Sequence, residues 1–238
     1  MIELIFDLDD TLYDLAEPLY RAMSQVYGDR IEMPKEAQFV AFRKFSDERF
    51  EDSRNGTITM EEMFIYRIRK TLEEMGAQTT DDEALLFQNS YEECQRMITL
   101  SDTIKELLSW CKQQNIYTAI ISNGADEHQM DKVYALGLLD YIPRQRMFFS
   151  DALDYAKPDK RIFEQVAQIL RIENTPTDPI YYIGDSFEND VIGPKRAGWK
   201  TIWYNHRNYV LPEGSTPDYE VKTETEMFET VKMIGTEF

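Results

Sequence analysis

Four short polar clusters each follow an apolar run: Asp7-Leu8-Asp9-Asp10-Thr11, Ser122-Asn123-Gly124, Lys157-Pro158-Asp159, and Gly184-Asp185-Ser186 with Glu188, Asn189 and Asp190 close behind. Asp7 and Asp9 are two residues apart, so at an extended strand end their side chains fall on the same side. Two carboxylates there cannot be left unpaired, and they offer hard oxygen ligands to one divalent cation. The other clusters add a hydroxyl at Ser122, an ammonium at Lys157 and a glycine-flanked turn at Asp185. Singly, each has a plainer reading: Ser122 as a helix cap, Lys157 as a solvated loop cation, Asp185 as a turn residue. Together they make an inventory for holding a phosphate beside Mg²⁺.

The surrounding pattern says what must position them. Buried strands are predicted over 2–6, 117–121, 147–149, 180–183 and 201–204, each a short run rich in β-branched, aromatic or leucine residues. Helical spacing lies between them: Asp102 is placed to cap a helix through Ile104, Leu107 and Leu108; Ile162, Phe163, Val166 and Ile169 mark another; a last helix runs over 224–234. Gly193-Pro194 is read as breaking a short helix. Such alternation predicts an α/β fold, a doubly wound parallel sheet with helices on both faces. These sheets bind ligands at the carboxyl ends of their strands, where all four clusters lie.

Between the first two strands the pattern is helical throughout. Pro18 and Pro34 suit first turns, and Thr59-Met60-Glu61-Glu62 and Thr80-Asp81-Asp82-Glu83 have the form of capping boxes. Phe39, Phe42 and Phe45 are read as the core of this insert, and the cations Arg43, Lys44, Arg49 and Arg54 as a solvated face. The expected organisation is a core of residues 1–13 and 101–238 with a helical cap domain, 14–100, inserted into it.

Composition bounds the partners. The chain has 238 residues, 42% of them hydrophobic, and a net charge of −18, which argues against nucleic acid or an anionic membrane surface. A small anionic substrate stays open, because a bound cation reverses the local field in one cleft. Cys94 and Cys111 have neither metal-site nor disulfide-framework spacing, no apolar run reaches membrane-spanning length, and a cytoplasmic monomer without a leader is expected.

The ordered set D-x-D-x-T, S-N-G, K-P-D and G-D-S-x-x-N-D resembles the haloacid dehalogenase superfamily of phosphohydrolases, and the helical insert resembles the α-helical cap of its first (C1) class. The resemblance covers nearly the whole chain and implies a Rossmann-like core and a mechanism. Asp7 would attack phosphorus and form an aspartyl-phosphate; Asp9 would be the acid/base. Mg²⁺ would be held by Asp7, the Asp9 backbone carbonyl and Asp185, with Asp190 and Asn189 orienting from behind. Ser122, the Asn123 backbone and Lys157 would bind phosphoryl oxygens; Thr11 is grouped with them as the residue that orients the Asp7 loop. Asp10 is read as a loop residue. Haloacid dehalogenases proper lack the carboxylate that Asp9 supplies, so the resemblance is to a phosphatase. With two histidines, His128 and His206, both read as away from strand ends, a carboxylate is the natural acid/base.

The form D-D-T-L-Y-D and the stretch Asn55-Gly56-Thr57-Ile58-Thr59 before a helix bearing Arg67 resemble the pyrimidine 5'-nucleotidase branch. A nucleoside monophosphate is therefore the expected substrate. The alternatives are a sugar-phosphate or phosphoglycolate phosphatase and a phosphomutase. From another class come a phosphoaspartate signalling receiver, which would need its phosphoaspartate to persist and so has no use for Asp9, and a silent binding protein.

Overall fold

Six strands, β1 (Glu3–Phe6), β2 (Tyr117–Ser122), β3 (Met147–Phe149), β4 (Ile180–Gly184), β5 (Lys200–Tyr204) and β6 (Tyr219–Val221), form one sheet in the computed structural model. The model describes residues 2–173 and 179–236. The order is β3-β2-β1-β4-β5-β6 and every pairing is parallel. Glu3 and Phe6 of β1 align with Tyr117 and Ile120 on one side and with Ile180 and Ile183 on the other. The chain builds outward from β1 to β3, then returns to β1's other edge to place β4. That reversal is the switch point at which such sheets open a crevice.

The chain divides into two compact units, Met1–Asp14 with Thr99–Phe238, and Leu15–Ile98. The second unit holds α1 (Ala16–Val26), α2 (Lys35–Arg54), α3 (Met60–Glu74) and α4 (Asp81–Gln95). The first holds the sheet with α5 (Asp102–Gln113), α6 (Asp126–Ala135), α7 (Lys160–Glu173), α8 (Gly193–Arg196) and α9 (Glu224–Thr236).

Period-two alternation divides the strands between two helical layers. Ile5, Ala119, Ile121 and Tyr182 pack with Ile162, Phe163 and Val166 of α7, and Phe163 meets Tyr182 edge-on at 5.4 Å between centroids. Elsewhere α5 packs on α9, Trp110 against Phe228 at 6.2 Å.

In the helical unit both capping boxes form, Thr59 with Glu62 and Thr80 with Glu83, each closing two backbone donors that the first turn leaves open. Phe39, Phe42 and Phe45 are buried. Lys44 pairs with Glu74 and Arg49 with Asp52 on the surface; the Arg54 side chain lies outside the described residues. Arg67 is a different case from those cations. Its guanidinium is buried, donates to Gln88 Oε1 at 2.6 Å and lies 4.3 Å from the Phe42 ring centroid. Burial lowers its pKa to about 10. It is part of the unit's interior.

Three local expectations are corrected. Ser101 caps α5, accepting from the Ile104 N–H at 3.1 Å, and Asp102 is the first helical residue. Gly193-Pro194 opens α8 instead of breaking a helix, since a first-turn proline forfeits no intrahelical bond. The edge strand β6 went unanticipated: three residues after Pro217-Asp218 give too short a pattern to read.

Candidate active site

Asp7 and Asp185 follow β1 and β4, the adjacent strands at the switch point. The Asp7 N–H still donates to Ile183 O at 2.8 Å, so the ladder itself fixes where its side chain leaves the sheet. Asp190 arrives from a single π-helical turn, Phe187–Ile192, whose start is set by Ser186. Its Oδ2 accepts from the Ser186 N–H at 2.9 Å. One oxygen from each of Asp7, Asp185 and Asp190 can lie within 4.8 Å of the others.

Gly184 makes that turn possible. A Cβ there would lie 2.4 Å from the Asp190 Cγ, so Gly184→Ala should displace the Asp190 carboxylate. Overpacking of this kind costs about 1–3 kcal/mol, sometimes more. Denaturant unfolding should register it, and an unchanged midpoint would show that the turn yields freely.

Lys157 reaches into the acidic cluster with its side chain almost fully buried. Its Nζ lies 2.8 Å from Asp7 Oδ1, 2.7 Å from Asp190 Oδ1 and 2.9 Å from the Tyr182 hydroxyl. Asn123 aims it: the amide donates to Lys157 O and accepts from Lys157 N–H, both at 2.9 Å. The Asn123 side chain is thus a brace, which leaves its backbone for any phosphate contact. Ser122, at the end of β2, is buried with its hydroxyl 3.3 Å from Gln129 Nε2.

Electrostatics follow from burying so many carboxylates together. Burial drives the Asp7 pKa up to about 7; Lys157 opposes this, while Asp190 and Asp9 add to it. Burial also pushes Asp185 well above the carboxylate range, reinforced by Asp190, Asp10 and Asp7. Asp9 goes the other way: burial acts to raise it, but Lys132, Tyr13 and Gln129 prevail and hold it low.

Sequence reading missed the groups around Asp9. Lys132 Nζ lies 2.7 and 2.8 Å from its two oxygens, the Tyr13 hydroxyl donates to Oδ1 at 2.5 Å, and Gln129 Nε2 to Oδ2 at 3.1 Å. Thr11 is buried with its hydroxyl 3.5 Å from Asp185 Oδ1, which sets it beside the acidic cluster.

Asp10 is more than a loop residue. It adopts φ +60°, and both its oxygens meet Arg207 at 2.5 Å. Arg207 also donates to Asp14 at 2.8 Å. Burial acts to raise the Asp10 pKa, but His206 and Arg207 together take it down to about 2. His206 is likewise corrected: it stands two residues beyond β5, at a strand end, with Nε2 3.3 Å from Asp10 Oδ2.

The donors fit a hard divalent cation. All are oxygens, and burial with mutual repulsion raises Asp7 and Asp185, a penalty that a cation held among them would relieve. Asp7 Oδ1 is buried and, though close to Lys157, accepts no well-directed hydrogen bond from the described residues, so it keeps a lone pair for a ligand. Asp190 has both oxygens engaged, by Lys157 and by Ser186 N–H, and suits a supporting place behind Asp7 and Asp185.

Comparison with known proteins places this site in a family. The chain is 27% identical to the HAD-hydrolase YfnB of Bacillus subtilis (strain 168), over 98% of this chain and 96% of that one. The crystal structure of YfnB bound to magnesium superposes with a TM-score of 0.69, covering 97% of this chain and 98% of that one at 25% identity. The chain is also 27% identical to pyrimidine 5'-nucleotidase PynA of Streptococcus pneumoniae (strain ATCC BAA-255 / R6), over 92% and 90% of the two chains. Pyrimidine 5'-nucleotidase YjjG of Escherichia coli (strain K12) is 23% identical over 92% and 93%. The haloacid dehalogenase-like hydrolase model matches residues 4–198, a span that includes Asp7, Asp9, Ser122, Lys157, Asp185 and Asp190, and the chain belongs to that family of hydrolytic enzymes.

Proposed function

We propose that the protein is a Mg²⁺-dependent phosphatase that hydrolyses a small phosphate monoester through an aspartyl-phosphate on Asp7, with pyrimidine nucleoside monophosphates as its preferred class. The observation that carries this is the juxtaposition of Asp7, Lys157 and Asp185 at the switch point with a second carboxylate, Asp9, two residues on. The substrate class is supported by similarity to two pyrimidine 5'-nucleotidases along nearly the whole chain.

In this mechanism Asp7 attacks phosphorus and the bond to the leaving oxygen breaks. Asp9, ionised at rest beside Lys132, takes up a proton as substrate binds and gives it to that oxygen, then takes one from the water that hydrolyses the intermediate. Lys157, the Ser122 hydroxyl and the Asn123 N–H hold phosphoryl oxygens and meet the charge that grows on them. Asp7, the Asp9 main-chain carbonyl and Asp185 would hold Mg²⁺, which supplies positive charge to the phosphoryl group and to the crowded carboxylates. Asn189 and Asp190 steady that set from behind.

The test is phosphate release with Mg²⁺ from a panel of pyrimidine and purine nucleoside monophosphates, sugar phosphates and phosphoglycolate. The expected result is a kcat/KM for pyrimidine monophosphates at least about tenfold above the rest, ~1.4 kcal/mol of differential transition-state binding. Preference for sugar phosphates would keep the chemistry and overturn the substrate class. No release from any member would sink the phosphatase reading and favour a mutase or a binding protein.

A further inference from the structure

Two residues of α6, Gln129 and Lys132, meet the Asp9 carboxyl. They are three apart on one helix and so share a face. Lys132 is a lysine with only 6% of its surface exposed, an unusual place for an ammonium, and both Asp9 oxygens lie within 2.8 Å of its Nζ. Gln129 is still more deeply buried, at 1%. Its Nε2 donates to the Asn123 carbonyl at 2.6 Å and to Asp9 Oδ2 at 3.1 Å, and lies 3.3 Å from Ser122 Oγ. Both of the first two partners are acceptors, which fixes the orientation of the amide.

Two further observations show that the fold makes room for this arrangement. The other end of the Gln129 amide, Oε1, is buried and accepts no hydrogen bond from the described residues, so the side chain is kept for what its NH₂ group does. Gly124 has φ +141°, and a Cβ there would stand 2.7 Å from Gln129 Nε2. The glycine of the Ser-Asn-Gly turn therefore leaves the space that Gln129 fills.

We propose that Gln129 and Lys132 are positioning residues for Asp9: Lys132 holds the direction of its carboxyl, and Gln129 ties that carboxyl to the Ser122-Asn123 turn, so that the proton donor and the phosphate-binding turn keep one geometry. This rests on the acid/base role proposed for Asp9.

The test uses two substrates that differ in their need for a proton. The alkoxide leaving from β-glycerophosphate requires protonation, whereas p-nitrophenolate leaves without it. For Lys132→Met, kcat/KM on β-glycerophosphate should fall about 100-fold and on p-nitrophenyl phosphate less than about fivefold, since a mis-aimed acid costs only the reaction that needs it. Lys132→Arg should restore the ratio, and Gln129→Met should shift it the same way by about tenfold. Equal losses on both substrates, or none on either, overturn the inference, and Gln129→Met carries the test if Lys132→Met fails to fold. Asp9→Asn in parallel separates the two layers. If it lacks the leaving-group bias, the acid role falls and the inference with it. If it shows the bias and neither α6 variant does, the inference alone falls.

Discussion

Asp7→Asn should abolish phosphate release and, in the same protein, raise the thermal stability of the metal-free fold at pH 8. The first effect follows from removing the proposed nucleophile while keeping its shape, and such losses are about 10⁴-fold or larger. The second follows from the folded-state pKa of about 7, raised chiefly by burial. An unfolded aspartate titrates near ~3.9. Between those values the native state holds a proton that the unfolded chain has lost, so the Asp7 contribution to stability is present at pH 4 and falls away as pH rises through 7. Asparagine carries no such penalty, and Lys157 keeps its Asp190 partner. In EDTA the variant should therefore melt at least about 2 °C above the wild type at pH 8, the shift of ~1 kcal/mol in a chain of this size, with little difference at pH 4. Mg²⁺ should reverse the order by stabilising the wild type alone, with an affinity that weakens as pH falls through about 7, where Asp7 takes up its proton. A variant that melts below the wild type at pH 8 without metal would show that the buried acids do not strain the fold.

The sheet was legible because β1, β2 and β4 are apolar runs that end abruptly in polar residues. A strand buried on both faces can carry its chemistry only at its end. The helices of the second unit were legible through their threonine-glutamate boxes and the phenylalanines at helical spacing. What escaped was of another physical kind. Asp10 and Arg207 stand 197 positions apart and meet only through the fold, and no local pattern announces a buried pair of that separation. Gln129 and Lys132 lie on a helix with acidic residues on either side, where a polar side chain reads as solvated. The three-residue spacing of two long polar side chains soon after the Ser-Asn-Gly turn was the available signal. Ser101 and Asp102 are both good caps, and one residue of register separates them.

Lys157→Met tests whether the acidic cluster is held together by one cation. The methionine keeps most of the stem's packing, so the change isolates the ammonium. That ammonium lies within 2.8 Å of Asp7 and Asp190 and bonds the Tyr182 hydroxyl, which itself donates to Ile121 O at 2.7 Å. With the lysine side chain only 3% exposed and Asp190 at 0%, water cannot take its place. Breaking a buried pair by removing one partner costs about 3–5 kcal/mol, because the other charge is left behind. The metal-free variant should melt roughly 10 °C below the wild type, at about 2–4 °C per kcal/mol. Phosphate release should fall about 10²–10³-fold with the loss of a phosphoryl contact. The double variant Lys157→Met with Asp7→Asn distinguishes charge from packing. If the cost is unpaired charge, it should melt above Lys157→Met at pH 8, since one stranded carboxylate has been neutralised. If the cost is lost packing, the second substitution should leave the melt where it is. Mg²⁺ should narrow the gap between Lys157→Met and the wild type for the same reason, as a second cation entering the same field, and an undiminished gap would mean that lysine and metal do not share these carboxylates.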